Sequence, residues 1–459
     1  MPKPFGINDD FQFEGIWWVP DQPDVRVAGE LAYGQKDGPV LSLTGTFNPD
    51  SRGFLSELVD RDVIHGSTKE GKSVSLFRAL HTSRQGGLGQ PVIHEVYKAH
   101  LLAIGYHFAN EDEEIFTRSF VSFEDIEEWL GHRFFDLQCA SNEMDFNLAI
   151  NRAGIDRRLA DINGMTLSAG SGFFTDRSNT SFTIDARCYI KVKPAQPRSI
   201  GWHFSVASKL QSLASLCTGR HLPLTSLSLD GPVLRYSSEH SRTAEVHVYA
   251  SMTHPESHKS RRFDTPLVYA SDLPDPPDAA FQKWFDSYEE LSSGLYLFQT
   301  ALADRAMYIN ARFSLAIQAL EVFHRRAFPG PIIPKSKYSE IRKALVSAIP
   351  DGTTKDMREK LQSVLAFSNE PSLKQRLRAL IDEVEHAFGE RPAGYDETFV
   401  KQVVDTRNYY THYSPELSGK TLEGAAMHYA IRRIVLLLDR KSTRLNSSHT
   451  DISRMPSSA

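Results

Sequence analysis

Cysteine is scarce in this chain: Cys139, Cys188 and Cys217 are the three present in 459 residues. An odd, widely spaced set cannot staple a small secreted fold and matches no cysteine-rich zinc template. It fits a reducing cytoplasm. Long apolar runs are missing too. None reaches the roughly 18–20 residues that a membrane span needs, and Met1-Pro2-Lys3-Pro4-Phe5 has no apolar leader core. A cytoplasmic protein without a membrane segment is expected. Phosphate loops are lacking as well, because Gly86-Gly87-Leu88-Gly89 has neither a Lys-Ser/Thr ending nor a GxGxxG spacing. His65, His81, His94, His100 and His107 follow no zinc spacing. No metal and no cofactor are expected.

A broad basic stripe is also absent. Residues 1–280 carry 27 Lys and Arg against 36 Asp and Glu, while residues 281–440 carry 22 against 20. A large sequence-independent footprint on nucleic acid needs clustered positive charge. Any RNA contact is therefore expected to be local and in the second half. The acidic runs Glu111-Asp112-Glu113-Glu114 and Glu124-Asp125…Glu127-Glu128 read as solvated faces, or as a recognition surface or gate.

Against these absences stand two different periodicities. In the first half the period is two. Val27, Gly29, Leu31 and Tyr33 alternate, Asp37-Gly38 marks a hairpin turn, and Leu41, Leu43, Gly45 and Phe47 alternate again. Phe13 to Val19, Ser73 to Leu80, Val92 to His100, Phe182 to Ile190 and Val246 to Val248 read as further strands. Two helices interrupt them. One starts at Ser122, as N-cap, and runs through Leu130; the other runs between Ser205 and Cys217 and stops at Thr218-Gly219. Leu273-Pro274-Asp275-Pro276-Pro277-Asp278 then breaks either kind of element.

Beyond it the period becomes helical. Ile309, Phe313, Ala316, Leu320, Phe323 and Ala327 form one apolar face. Further helices are expected over 338–349, 357–367, 373–388, 398–413 and 422–438. The fold class is thus α+β, a β-rich N-terminal domain over 1–275 followed by an all-α bundle over 279–440. Ser442 to Ala459 has no periodicity and resembles translated adapter sequence. The segment 441–459 is therefore set apart as a non-native tail.

One stretch of the bundle concentrates chemistry. Arg407-Asn408-Tyr409-Tyr410-Thr411-His412 follows the apolar run at Phe399 to Val404 and ends at Ser414-Pro415. Imidazole suits proton transfer near neutrality, and a guanidinium fork binds phosphate oxygens. Cleavage of RNA by its own 2′-hydroxyl needs a base, an acid and a cation, and no metal. Five helical residues separate Arg407 from His412 by about 140°, whereas Asn408 and His412 share a face. One copy converges only if the helix end unwinds. Two copies across a two-fold axis could converge on one phosphate, so an isologous homodimer is expected. Glu321, one turn from His324, is a carboxylate that could orient Arg407, or an ordinary flanking polar residue. Tyr410 and Tyr413, like Tyr409, could stack a base or pack the bundle. His428 could face the same cleft or sit partly buried.

The Arg407-Asn408-x-x-x-His412 pattern resembles the signature of the HEPN superfamily. The helix at Arg312 to Glu321 resembles the first core helix of such domains. Asn369 to Leu377 looks like the ApeA-type branch, and Gly15-Ile16-Trp17-Trp18-Val19-Pro20 is similar to the opening of ApeA N-terminal domains. The resemblance implies a metal-independent endoribonuclease of bacterial anti-phage, abortive-infection defence. It implies that Arg407 and His412 are essential and that Asn408 assists. RNA as substrate, a second copy as partner and a phage-encoded trigger follow from it. The competing reading is a non-catalytic module that dimerises and binds RNA or protein.

Overall fold

A computed structural model describes residues 5–48, 58–87, 90–132, 134–139, 146–150, 157–177, 181–235, 241–250, 268–273, 276–303 and 307–445. The chain divides into two compact units, Met1–Gln282 and Lys283–Ala459. Leu88 and Gly89, Pro274 and Asp275, and the tail from residue 446 lie outside the described residues.

The first unit is built on antiparallel strands: β1 (Phe11–Trp18), β2 (Val27–Gly34), β3 (Gly38–Thr44), β4 (Arg61–Thr68), β5 (Ser73–Gly87), β6 (Gln90–Ile104) and β7 (Arg118–Phe123). The alternation in β1, with Phe11, Phe13 and Trp17 buried and Gln12 and Glu14 exposed, is what a strand with one face on a core requires. The β2–β3 turn falls where Asp37-Gly38 places it, with Gly34 opposite Gly38. Long-range pairing then closes the sheet. β6 pairs with β3 along one edge and with β5 along the other, and β1 pairs with both β2 and β4. The circuit β6-β3-β2-β1-β4-β5 is therefore a six-stranded closed barrel, which leaves no free edge within it. Trp17, fully buried, fills the interior against Gly66. A Cβ there would lie 2.2 Å from the indole ring, so position 66 has to lack one.

From β6 the sheet continues outward through β14 (Ser241–Ala250), β13 (Leu224–Arg235), β7, β12 (Phe182–Pro194), β11 (Met165–Arg177) and β10 (Arg157–Ile162). A separate hairpin pairs β8 (Phe135–Cys139) with β9 (Phe146–Ile150). Among the described residues this unit contains the α-helices α1 (Ile126–Trp129) and α2 (Ile200–Thr218). α2 ends as the Thr218-Gly219 pair predicts, with Gly219 in the left-handed region at φ 65°. α1 differs from the expectation. β7 extends through Phe123, and the Ser122 hydroxyl donates to the Cys188 carbonyl instead of capping a helix. Asp125 takes the cap position at φ 52°. The acidic runs do more than face solvent. Arg220 donates to Asp125 at 3.1 Å and Glu128 at 2.9 Å, while the Glu113 carboxylate accepts the Asn110 backbone N–H at 3.2 Å.

α3 (Asp278–Ala303) leads into the second unit, which continues with α4 (Ile309–Ala327), α5 (Lys335–Ser347), α6 (Lys355–Phe367), α7 (Leu373–Phe388), α8 (Glu397–His412) and α9 (Gly424–Leu445). α4 buries Phe313, Ala316, Ile317, Ala319, Leu320 and Phe323, the face that the three- and four-residue spacing marks. It packs against α7, α8 and α9, whose buried residues include Leu377, Ile381, Val403, Ile431 and Ile434. Gly294 of α3 faces α4, where a Cβ would lie 3.4 Å from Val322, an ordinary contact. α5 and α6 form an antiparallel hairpin and contain no buried residue at all. The β-rich region followed by a helical bundle is the α+β arrangement that the two periodicities indicate. The α9 backbone continues to Leu445.

Candidate nuclease site at the end of the eighth helix

α8 starts at Asp396, whose carboxylate accepts the Phe399 N–H at 2.9 Å. This is a favourable anion at the positive end of the helix. Phe399, Val400, Val403 and Thr406 are buried at three- and four-residue steps, which fixes the rotation of the helix in the bundle. Thr406 ties the helix to the segment that enters α9. Its hydroxyl donates to the Gln402 carbonyl at 2.6 Å and accepts the Leu422 N–H at 2.9 Å. With that face inward, Arg407 and Asn408 come out half-buried, and His412 is exposed.

The helix does not unwind. It stays regular through His412, and Tyr413 terminates it in the left-handed conformation at φ 50°, ψ 39°, donating to the Tyr409 carbonyl. Ser414-Pro415 then turns the chain away. Arg407 and His412 therefore keep their separation of about 140° around the axis, and a single chain does not bring them to one point.

The Arg407 guanidinium is held at two nitrogens. Nη1 donates to the Asn408 side-chain oxygen at 3.1 Å and Nη2 to Glu321 Oε1 of α4 at 3.5 Å. Glu321 thus stands beside Arg407, as a carboxylate that orients it would. Asn408, which shares a helix face with His412, spends its carboxamide oxygen on Arg407. The His412 imidazole makes no hydrogen bond to any described residue. Tyr409, Tyr410 and Tyr413 cluster with ring centroids 5.3–6.3 Å apart. Tyr413 is 63% exposed, while Tyr410 is half-buried and its hydroxyl is pushed up by burial first and by Glu423 second. His428 is exposed and not partly buried.

Behind Glu321 lies a second charged group that spacing alone does not reveal. Arg376 of α7, 4% exposed, brings Nη1 to 3.1 Å from His324 Nδ1. Burial, and then the Arg376 charge, lower the His324 imidazole to about 4, so it is neutral near pH 7. Arg376 also faces Glu370 at 3.8 Å, and Glu370 pairs with Arg325 at 3.3 Å. The Glu321 charge favours the protonated Arg376 as well. Two charge pairs thus lie in this part of the bundle, Glu370 with Arg376 and Glu321 with Arg407. Among the described residues no three His, Cys, Asp or Glu side chains gather into a group that could hold a metal ion. No helix among them is long and apolar enough to cross a membrane.

Residues 12–284 match the family model of ApeA N-terminal domain 1, and residues 315–439 match that of the Apea-like HEPN domain. The second range contains Glu321, Arg376 and the whole of the Arg407–His412 stretch. No curated protein and no solved structure matches the chain. The two families point to a nuclease-type anti-phage function, and HEPN domains are generally associated with ribonucleases. The chain belongs to the ApeA family, an N-terminal ApeA domain followed by a C-terminal HEPN domain.

Proposed function

We propose that this protein is a metal-independent endoribonuclease of anti-phage defence, acting in abortive infection, with a site completed by a second copy of the chain. The observation that carries this is the end of α8. Arg407 contacts Glu321 and Asn408, while the His412 side chain, five residues on, is exposed and has no partner among the described residues. Across a two-fold axis, two such ends supply two imidazoles and two guanidinium groups to one cleft.

The proposed step balances without a cofactor. One His412 takes the proton of the ribose 2′-hydroxyl, and the 2′-oxygen attacks the adjacent phosphorus. The bond from phosphorus to the 5′-oxygen breaks. The other His412, protonated, gives its proton to that oxygen, leaving a 2′,3′-cyclic phosphate and a free 5′-hydroxyl. Arg407 shifts from Glu321 toward the phosphorane oxygens as negative charge builds there. Asn408 steers Arg407 through their hydrogen bond, and Tyr410 or the exposed Tyr413 offers a ring to a neighbouring base. The N-terminal domain, 1–275, would sense a phage-encoded trigger or restrain the helical domain, 279–440, in a bacterial cytoplasm. The segment 441–459 takes no part.

The test is cleavage of a mixed RNA pool in EDTA by the wild type and by His412→Ala. The wild type is expected to release 2′,3′-cyclic phosphate ends, and the variant to lose cleavage. Equal cutting by both would overturn the assignment. The free His412 also suits a second reading, a non-catalytic RNA-binding or protein-binding module. Retention of intact RNA by the wild type, with no cyclic phosphate formed, would favour it.

A further inference from the structure

Arg376 is a buried cation whose short hydrogen bond goes to a neutral group. It is 4% exposed, and its Nη1 donates to the uncharged His324 imidazole at 3.1 Å. The carboxylate that pairs with it, Glu370, stands off at 3.8 Å and also serves Arg325 at 3.3 Å. A buried charge is costly unless an opposite charge answers it. Burial first, and Arg325 second, oppose the charge on Arg376, and Glu321 offsets them more than Glu370 does. The start of α7 fixes where this cation sits. The Ser372 hydroxyl accepts the Gln375 N–H at 3.4 Å, the Gln375 side chain accepts the Ser372 N–H at 2.8 Å, and the Arg376 N–H donates to the Ser372 carbonyl at 2.9 Å.

Glu321 and His324 lie one turn apart on α4. Three residues place them about 60° apart around the helix, with Cβ atoms about 5–6 Å from each other. That one turn receives both guanidinium groups. His324 takes Arg376 from α7, and Glu321 takes Arg407 from α8. The Glu321 carboxylate thus stands among two cations, and its hold on Arg407 is a single contact at 3.5 Å. Other arginines of the same unit close further on their carboxylates. Arg378 meets Glu397 at 2.7 Å, and Arg391 meets Asp382 at 2.6 Å and Glu385 at 2.7 Å. Charge-assisted contacts settle near about 2.7–2.9 Å. Those exposed side chains can swing to their partners. Arg376, tied to His324 inside the bundle, cannot.

We infer that Arg376 is a positioning residue for the candidate site: it draws on the Glu321 carboxylate and so leaves Arg407 loosely held and ready to move to a phosphate. The inference rests on the reading above, in which Arg407 leaves Glu321 as charge builds on the phosphorane. A guanidinium closed on its carboxylate in a two-point pair would have to break both contacts, in surroundings of low dielectric, before it met phosphate. A second cation on the same carboxylate prevents that closure. Charge does this rather than shape, which sets two substitutions apart. Arg376→Lys keeps a cation, whereas Arg376→Met keeps the length and loses the charge. Once Glu321 is made neutral, Arg376 has nothing to draw on.

The experiment is the affinity of the full chain for a 2′-O-methyl RNA oligomer of mixed sequence, followed by fluorescence anisotropy. With its 2′-oxygens blocked the oligomer cannot be cut, so the readout needs no turnover. Arg376→Met is expected to bind about tenfold more weakly than the wild type, and Arg376→Lys within about twofold of it. In a Glu321→Gln background the same Arg376→Met change is expected to alter affinity less than about twofold. An equal loss in both backgrounds would make Arg376 a structural residue and overturn the inference. So would Arg376→Met binding like the wild type, Arg376→Lys binding as weakly as Arg376→Met, or a wild type that binds no oligomer. Far-ultraviolet circular dichroism checks the fold. If Arg376→Met does not fold, Arg376→Gln, which can still donate to His324, takes its place as the neutral variant in the same comparison. A wild type that binds the oligomer and leaves unmodified RNA intact would count against the proposed function alone.

Discussion

The two units of this chain treat their polar groups differently. In the β unit, several charged and polar side chains are sealed in; some are partnered, while the Trp17 and Trp129 indole N–H groups are buried with no hydrogen-bond partner among the described residues. Glu95, 1% exposed, accepts from Thr46 at 2.8 Å and from Tyr97 at 3.2 Å. His203, fully buried, lies 2.9 Å from the Ser119 hydroxyl. In the helical unit, the groups with chemical potential are left at the surface. Arg407 is half-buried, His412 is open, and the α5–α6 hairpin shows its apolar side to solvent. A buried polar group costs stability unless it is satisfied, so the first unit keeps some of its polar groups at a cost, while the second leaves Arg407 and His412 where the proposed substrate would reach them.

The sharpest break between the units is expected at His412. Because the ring is exposed and unbonded to described residues, His412→Ala should leave melting unchanged while cleavage falls by about 10²–10⁴-fold. A parallel loss of fold and activity would erase the contrast. The next effect belongs to the β unit and is read by pH. Burial lowers His203 to about 4, with the Phe116 carbonyl opposing, and His65, His81, His100 and His247 are also lowered, chiefly by burial. In the unfolded chain histidine titrates near 6.5. Between that value and about 4 the unfolded state binds more protons, so stability is full above about pH 6.5 and falls as pH drops toward 4. The unfolding free energy from urea titration should fall between pH 7 and pH 5, by about 2 kcal/mol if His203 dominates. A flat profile would show that His203 is not held neutral. The smallest effect is expected at Glu321→Gln. Losing the carboxylate beside Arg407 should lower cleavage about tenfold with little change in melting. A larger loss in stability than in rate would make Glu321 a structural residue and nothing more.

Local signals account for much of what the sequence foretells. Alternation at Val27, Leu31 and Tyr33 with Asp37-Gly38 marks a hairpin because both depend on neighbours. The Phe313 to Phe323 spacing marks α4, and Thr218-Gly219 the end of α2, for the same reason. Features that depend on distant partners are hidden. Barrel closure needs β6 to meet both β3 and β5, which no window of sequence contains. Arg376 reaches His324 across 52 residues, and Glu321 meets Arg407 across 86. Amphipathic spacing is alike whether a face is covered or bare, so α5 and α6 read as ordinary bundle helices although they bury nothing. At the candidate site the residue types and their angular divergence were legible. The clamp on Arg407 was visible only as a possibility at Glu321.

The most direct measurement is cleavage rate per chain as the wild type is diluted through its dimer dissociation, with His412→Ala as the blank. A composite site predicts that the specific rate falls with the dimer fraction and returns on concentration. A specific rate that stays constant while the mass drops to that of one chain would contradict it.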